Sequence, residues 1–437
     1  MNIKNLKHNG PFRKVSSIVG DCMGDFHPHG DASIAESLVR LGQCWSMMVP
    51  LIEPQGNFGS QDGDPPAAQR YIEAKLSLAG EMLLEDTVPG VVPFNSNYDG
   101  RTREPQILAG KFPNLLINGD YGIAVSLSSK IPPHNPIEVA NAIKLIAKKP
   151  AARIDEVMDI IPGPDFPTGG TIKDSGGIRE YFETGRGQFF IRANGVIKNI
   201  GQRQQIIINE LPYQVTASSV IEQIVNMVKE KKTDAIFSVQ DYSDSKNGLQ
   251  IVIDLKSGFD AKEVLQFLFD KTKLQVSFTV NMNMLNEKGE PQMIGFIDLI
   301  RMFCDHRRQV IKNKILIEIG KNKERLDLLD VYRKMSSHID KIINLVKNHM
   351  NTKLLVKDIA NLLNITEEKA KIVADMPLKK ISKIEREKVE EEYNLLLKKN
   401  KELESILESR VKINNIICKE MDEVIEACGK PRLSRIR

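Results

Sequence analysis

The sequence predicts an α+β protein of several domains that ends in a long helical arm. Three observations carry that reading. At 437 residues the chain is longer than one hydrophobic core usually organises. Its middle part alternates β-branched runs with amphipathic ones, the pattern of an α+β layer. From about residue 297 onward, apolar residues recur at helical spacing with charges between them.

Residues 1 to about 112 are rich in Gly, Pro, Asp and His. Within them ASIAESLVRLGQCW (32–45) brings Ile34, Leu38, Val39 and Leu41 close to one helical stripe. Asp31 just before it, with Glu36 in the early turns, marks a helix start. From about 113 to 285, GQFFIRANGVIKNI and QQIIINELPY read as strands and SSVIEQIVNMVKEKK as an amphipathic helix. GLQIVIDLK then reads as a strand and AKEVLQFLFDKT as a helix, with PGPDFPTGG (162–170) as the entrance to the layer. In the arm, Ile384, Val389, Tyr393, Leu396, Leu403, Ile406 and Ile413 recur every three or four residues. Two such long helices, one on each side of a small helical insert at 350–380, predict an antiparallel hairpin with a knob at its tip.

Composition narrows the function. Hydrophobic residues make up 41% and charged residues 27%, an ordinary globular balance. There is no apolar run of membrane-spanning length and no signal-peptide core at the N-terminus, so a cytoplasmic location is the default. A net charge of +4 permits a polyanionic partner without demanding one. The five cysteines (Cys22, Cys44, Cys304, Cys418, Cys428) include no CxxC pair, so reduced, buried thiols are expected rather than disulfides or zinc. With aromatics at 6%, base-stacking platforms are poorly supported.

The chemistry-bearing residues concentrate in the first zone. FHPHGDAS (26–33) carries His27 and His29, held apart by Pro28. As bare residues they fit local turn hydrogen bonds better than a metal site, since no further ligand stands near. Asp62 and Asp64 fit surface loop carboxylates better than Mg²⁺ ligands. The glycines and Asn57 of PQGNFGSQDGDPPAAQRY allow close backbone approach to a polyanion and equally mark a plain loop. Tyr71 follows Arg70 in a segment that fits helix or strand. A phenol with pKa near 10 needs a base or a positive field to attack phosphorus, and a guanidinium stabilises charge developing on phosphate oxygens. Imidazole at His29 is suited to act as acid, base or phosphate donor. A half-buried aromatic remains the competing reading of Tyr71.

The order HPHGD, QGNFGS-DGD and AA-RY-E-LS resembles the A subunit of bacterial type IIA DNA topoisomerases, gyrase and topoisomerase IV. NYDG (97–100), KFPNLLINGDYGIAV (111–125), IPPHN (131–135), TGRG (184–187), LPYQV (211–215), LQVSF (274–278) and HRR (306–308) continue the match over essentially the whole chain. The resemblance implies a winged-helix catalytic domain at 1–112, an α+β tower at 113–285, and a coiled-coil arm with an exit gate at 286–437. It makes Tyr71 the nucleophile that joins a DNA 5′ end, Arg70 its electrostatic partner, and His29 the histidine at the scissile phosphate. His27, Arg40, Gln55 and Asn57 become DNA contacts, and Ile123 becomes the side chain wedged between base pairs.

The implied assembly is a homodimer on double-stranded DNA, joined by a B subunit that supplies ATP hydrolysis and the Mg²⁺ site, as A₂B₂. No ATP-binding Gly-rich motif or acidic metal cluster stands out here. The family's Leu-Lys-Pro and paired basic residues upstream of HPHGD are absent, so a shortened chain or impaired cleavage is expected. The chain stops at CGKPRLSRIR, which leads to the expectation of relaxation or decatenation rather than negative supercoiling. Ala32 stands where many relatives have serine, with Glu36 one turn on, and this predicts weak binding of quinolone-type drugs. The rival reading is a DNA-binding scaffold of the same fold that no longer cleaves. A tyrosine recombinase is disfavoured by the order of the motifs.

Overall fold

The computed structural model describes residues 1–124, 127–201, 203–244, 248–285, 289–348, 352–375 and 383–437. The chain divides into two compact units, Met1–Arg308 with Asn415–Arg437, and Gln309–Asn414. This grouping cuts differently from the three zones expected at 1–112, 113–285 and 286–437. Among the described residues no helix is long and apolar enough to cross a membrane.

The first unit opens with β1 (Arg13–Lys14), α1 (Val15–Asp25), α2 (Asp31–Gly42), β2 (Ile52–Gln55) and β3 (Glu73–Leu76). The three strands form an antiparallel sheet in the order β1-β3-β2. Val15, Ile18 and Val19 of α1 share one helical face, as do Leu38 and Val39 of α2. Both faces close on Ile52, Ile72, Ala74 and Leu76 to make a local core. The predicted stripe on α2 is present, and the helix starts at Asp31.

A six-stranded sheet follows, in the order 435–436, 171–173, 186–192, 275–281, 127–131, 120–124. Gly119, at φ 67°, turns the chain into the hairpin of its last two strands. A Cβ there would lie 2.2 Å from the Ile131 carbonyl oxygen, so only glycine fits. A separate four-stranded sheet has the order 194–200, 203–210, 251–255, 236–241. It buries Ile206, Ile208, Ile251 and Ile253 against Val220, Ile224 and Leu268 of the helices Ala217–Lys229 and Ala261–Lys271.

The run GQFFIRANGVIKNI, read as one strand, is two strands in two sheets, Arg186–Arg192 and Asn194–Ile200. The switch falls at Ala193, whose amide bonds the Leu274 carbonyl, and at Asn194, whose side chain bonds Thr171 and Glu210. The last strand, Arg435–Ile436, pairs in parallel with Thr171–Lys173. The buried Asp165 carboxylate holds this segment by accepting from the Leu433 and Ser434 amides.

In the second unit, residues 309–337 of the helix Phe296–Ser337 run antiparallel to the helix Lys383–Leu407. Arg325 with Glu392 and Arg333 with Glu390 form two-pronged ion pairs, and Asn322 bonds Asn400 in the buried seam. Arg333 also lies over the ring of Tyr393. The long second helical period is broken into Lys383–Leu407 and Arg410–Cys428, where the Ser409 hydroxyl accepts from the Lys412 amide. Among the described residues the insert holds two short helices, Thr352–Leu363 and Glu367–Ala374, which pack with the preceding helix Ile339–Asn348 through Ile342, Leu355, Ile359, Leu363 and Ala370. Residues 349–351 and 376–382 of that region lie outside the described residues.

The cysteines are free thiols; Cys304 and Cys418 are buried, whereas Cys44 is exposed, contrary to the expectation for that residue. Burial pushes the Cys304 thiol up to about 12.

A tyrosine on an exposed turn as the candidate functional site

Segment 69–71 is a turn that leads into β3, neither the helix nor the strand its sequence allowed. The Tyr71 amide bonds the Ala68 carbonyl at 2.8 Å, closing the turn. Ile72 then points into the core at 2% exposure, which leaves Tyr71 outward at 65%. The Arg70 guanidinium lies 4.6 Å from the Tyr71 ring centroid. The competing reading of Tyr71 as a half-buried aromatic is therefore set aside: the ring is exposed with a cation on its face.

Three bonds fix this turn. The first two amides of α1 donate into it, Val15 to the Ile72 carbonyl at 3.0 Å and Ser16 to the Gln69 carbonyl at 3.1 Å. These amides lack intrahelical partners at a helix start, so the turn satisfies them. The third bond runs from Gln69 Nε2 to Asp31 Oδ2 at 2.6 Å. Asp31 begins α2, two residues after His29, and Gln69 lies two residues before Tyr71. The HPHGD segment thus meets the RY pair through its own last residue, Asp31, and through Gln69 just before Arg70.

His27 and His29 are both exposed, and their rings stack with centroids 4.1 Å apart. Pro28 therefore does not hold them apart; the His29 amide bonds the His27 carbonyl at 2.8 Å and turns both rings to one side. Gln55 ends β2 opposite Glu73 in the register. Asn57 receives the Ala67 amide on its carbonyl, and its side chain receives the Gly59 amide at 2.8 Å. The polar loop is thereby drawn back to the tyrosine segment.

Arg40 is exposed nine residues beyond Asp31, about 14 Å along α2. Ala32 and Glu36 lie exposed in the first turns of the same helix. Ile123 is separate from this cluster: it sits near the tip of the hairpin Asp120–Ala124 with Leu127–Ile131, 78% exposed. Although it lies in a strand, Ile123 is no part of the sheet core. Val125 of the GIAV motif lies outside the described residues.

Asp64 accepts from the Ser60 hydroxyl at 2.8 Å. Burial, with Asp241 and Asp64 nearby, pushes the Asp62 carboxyl up. Among the described residues no group of three or more His, Cys, Asp or Glu is placed to hold a metal ion. A cavity of about 440 Å³ between α1 and α2 touches His27 but is walled mainly by apolar side chains such as Ile18, Leu38 and Leu41. The site built around Tyr71 is an open surface rather than an enclosed pocket.

Two residues at this surface escaped the sequence. Gln69 of AAQRY carried no assigned role, and its side chain bonds Asp31. Tyr213 lies in LPYQV, a motif that carried resemblance and no assigned role.

Tyr71 thus lies exposed under Arg70, and Gln69 links its turn to Asp31 at the start of α2. The family of DNA gyrase and topoisomerase IV A subunits matches residues 1–422, and the chain belongs to it. It is 38% identical over 438 residues to the DNA gyrase A protein of Staphylococcus epidermidis and 40% identical over 437 residues to that of Treponema pallidum. Both alignments take in 100% of this chain, and 49% and 54% of those relatives. The chain thus spans about half the length of the curated relatives it matches.

Proposed function

We propose that this chain is the DNA-cleaving and rejoining subunit of a type IIA topoisomerase. The observation that carries the reading is the exposed Tyr71 beneath Arg70, fastened to the HPHGD helix by Gln69 and Asp31. The Tyr71 oxygen attacks a backbone phosphorus, and the bond from phosphorus to the 3′ oxygen breaks. The 3′ hydroxyl leaves with a proton, and the 5′ end stays on Tyr71. Arg70 stabilises charge on the phosphate oxygens, and His29 donates to the same phosphate. One phosphodiester is exchanged for another, so resealing runs the step backwards without an external energy source.

The surrounding parts follow the family's plan. The β1–β3 sheet with α1 and α2 serves as the winged-helix domain, the middle sheets as the tower, and the long helices as the coiled-coil arm and exit gate. His27, Arg40, Gln55 and Asn57 hold the DNA backbone, and Ile123 wedges into a base step and bends the duplex. Two chains in a C₂ dimer place one tyrosine on each strand. A B subunit brings ATP hydrolysis and Mg²⁺ in an A₂B₂ assembly in the cytoplasm, which passes one duplex through another.

The test mixes the chain with a gyrase B subunit, Mg²⁺ and supercoiled DNA, then adds detergent. Protein-linked, cut DNA is expected from the natural sequence and none from Tyr71→Phe. DNA binding without any adduct overturns the cleaving role in favour of a scaffold.

A further inference from the structure

The turn between the strand Arg203–Glu210 and the helix Ala217–Lys229 reaches the far end of α2. Its Tyr213 packs on Phe166, with ring centroids 5.3 Å apart, and donates its hydroxyl to the Ser46 carbonyl at 2.7 Å. Ser46 closely follows α2, so this phenol oxygen is held from both ends. Arg40 and Gln214 line the same two cavities as the phenol; burial pushes its pKa up, and the Arg40 charge pulls against that.

Gln214 sits at φ 65°, in the left-handed region that non-glycine residues rarely take. That conformation brings its side chain, with Tyr213 and Arg40, onto the walls of two cavities of about 250 and 290 Å³. Thr168 lines the second cavity, and its hydroxyl is buried without a protein partner. The Gly-rich loop abuts this junction as well: at Gly63, φ 106°, a Cβ would lie 3.1 Å from the Ser218 hydroxyl.

A free surface arginine samples many rotamers, and freezing them opposes binding. An acceptor fixed at both ends removes that freedom before DNA arrives. Guanidinium carries five N–H donors, so a bond to the phenol leaves others for a phosphate oxygen. We propose that Tyr213 is a positioning residue: its hydroxyl, anchored on Ser46 and Phe166, sets the Arg40 guanidinium for a DNA phosphate. The proposal rests on the reading of Arg40 as a DNA contact.

The experiment measures affinity for a short duplex against salt concentration, with every variant in a Tyr71→Phe background so that cleavage plays no part. Arg40→Ala is expected to flatten the log–log salt slope by about one unit, the mark of one lost phosphate contact. Tyr213→Phe keeps the ring on Phe166 and removes only the hydroxyl. It is expected to flatten the slope in the same direction and weaken binding about three- to tenfold. The double variant should match Arg40→Ala alone.

If Arg40→Ala leaves the slope unchanged, the reading of Arg40 as a contact fails, and this proposal with it. If Arg40→Ala flattens the slope but Tyr213→Phe does not, the positioning role alone is overturned. A lowered melting temperature of Tyr213→Phe with an unchanged slope also overturns it, because that is the result of a purely structural hydroxyl.

Discussion

Gln69 Nε2 donates to the Asp31 carboxylate at 2.6 Å, joining segments 38 positions apart in the chain. This bond sets where the tyrosine turn lies against the start of α2. In Gln69→Glu two carboxylates would face each other at neutral pH, a repulsion worth about 1 kcal/mol at an exposed site, or roughly fivefold. The yield of detergent-trapped adduct is expected to fall by that factor, with Gln69→Ala intermediate. Equal yields from all three proteins would show that the bond does not position the site.

His134 gives the fold a dependence on acid. The ring is wholly buried, and Nδ1 faces the Leu116 carbonyl at 3.0 Å, which can only accept. Nδ1 therefore carries the proton, and Nε2 accepts from the Tyr181 hydroxyl at 2.9 Å. Burial lowers its pKa from 6.5 to about 3. The unfolded chain binds this proton first, so the stabilisation is complete above pH 6.5 and is lost as pH falls towards 3. Urea unfolding across that window should show a slope contribution of about 1.4 kcal/mol per pH unit. His134→Gln should remove it, whatever its offset at neutral pH. An unchanged slope in the variant would contradict this assignment.

Arg307 is fully buried, with its guanidinium on the Glu420 carboxylate at 2.6 and 3.1 Å and on the Ala109 carbonyl at 2.8 Å. Glu420→Gln leaves a buried cation without its main counter-charge, at a cost of about 3 to 5 kcal/mol. Replacing both partners, Arg307→Met with Glu420→Leu, should recover much of that loss. Chemical denaturation reads both; a single variant as stable as the natural chain would show that the pair contributes little.

Much of the fold could be read from the sequence, because its helices and sheet cores announce themselves by local period. Leu38 and Val39 are buried where the helical stripe placed them, and Ile206, Ile208, Ile251 and Ile253 form the predicted sheet interior. What stayed hidden depends on distant partners. Arg307, in the charged run HRR, carries no local signal of burial and is buried because Glu420 meets it from 113 positions away. The strand Arg435–Ile436 is too short to show a pattern and exists only because Thr171–Lys173 offers an edge. In the site, Arg70 and Tyr71 were visible as chemistry, but their link to the histidines runs through the side chain of Gln69.

Ala32 occupies an exposed position in the first turn of α2, where it presents a methyl group and no oxygen. A drug that binds through a water and metal bridge gains nothing from it. Ala32→Ser should increase drug-stabilised cleavage by a quinolone-type compound about tenfold, in line with one added charge-assisted hydrogen bond. Equally strong drug-stabilised cleavage in both proteins would contradict this.

The central claim is that Tyr71 becomes covalently joined to DNA. Adducts trapped with a B subunit, Mg²⁺ and supercoiled DNA can be digested with protease and nuclease and the peptides weighed. The expected product is a peptide spanning residue 71 that carries a nucleotide 5′-phosphate on the tyrosine, and none from Tyr71→Phe. A nucleotide on any other residue, or an adduct that survives Tyr71→Phe, would contradict it.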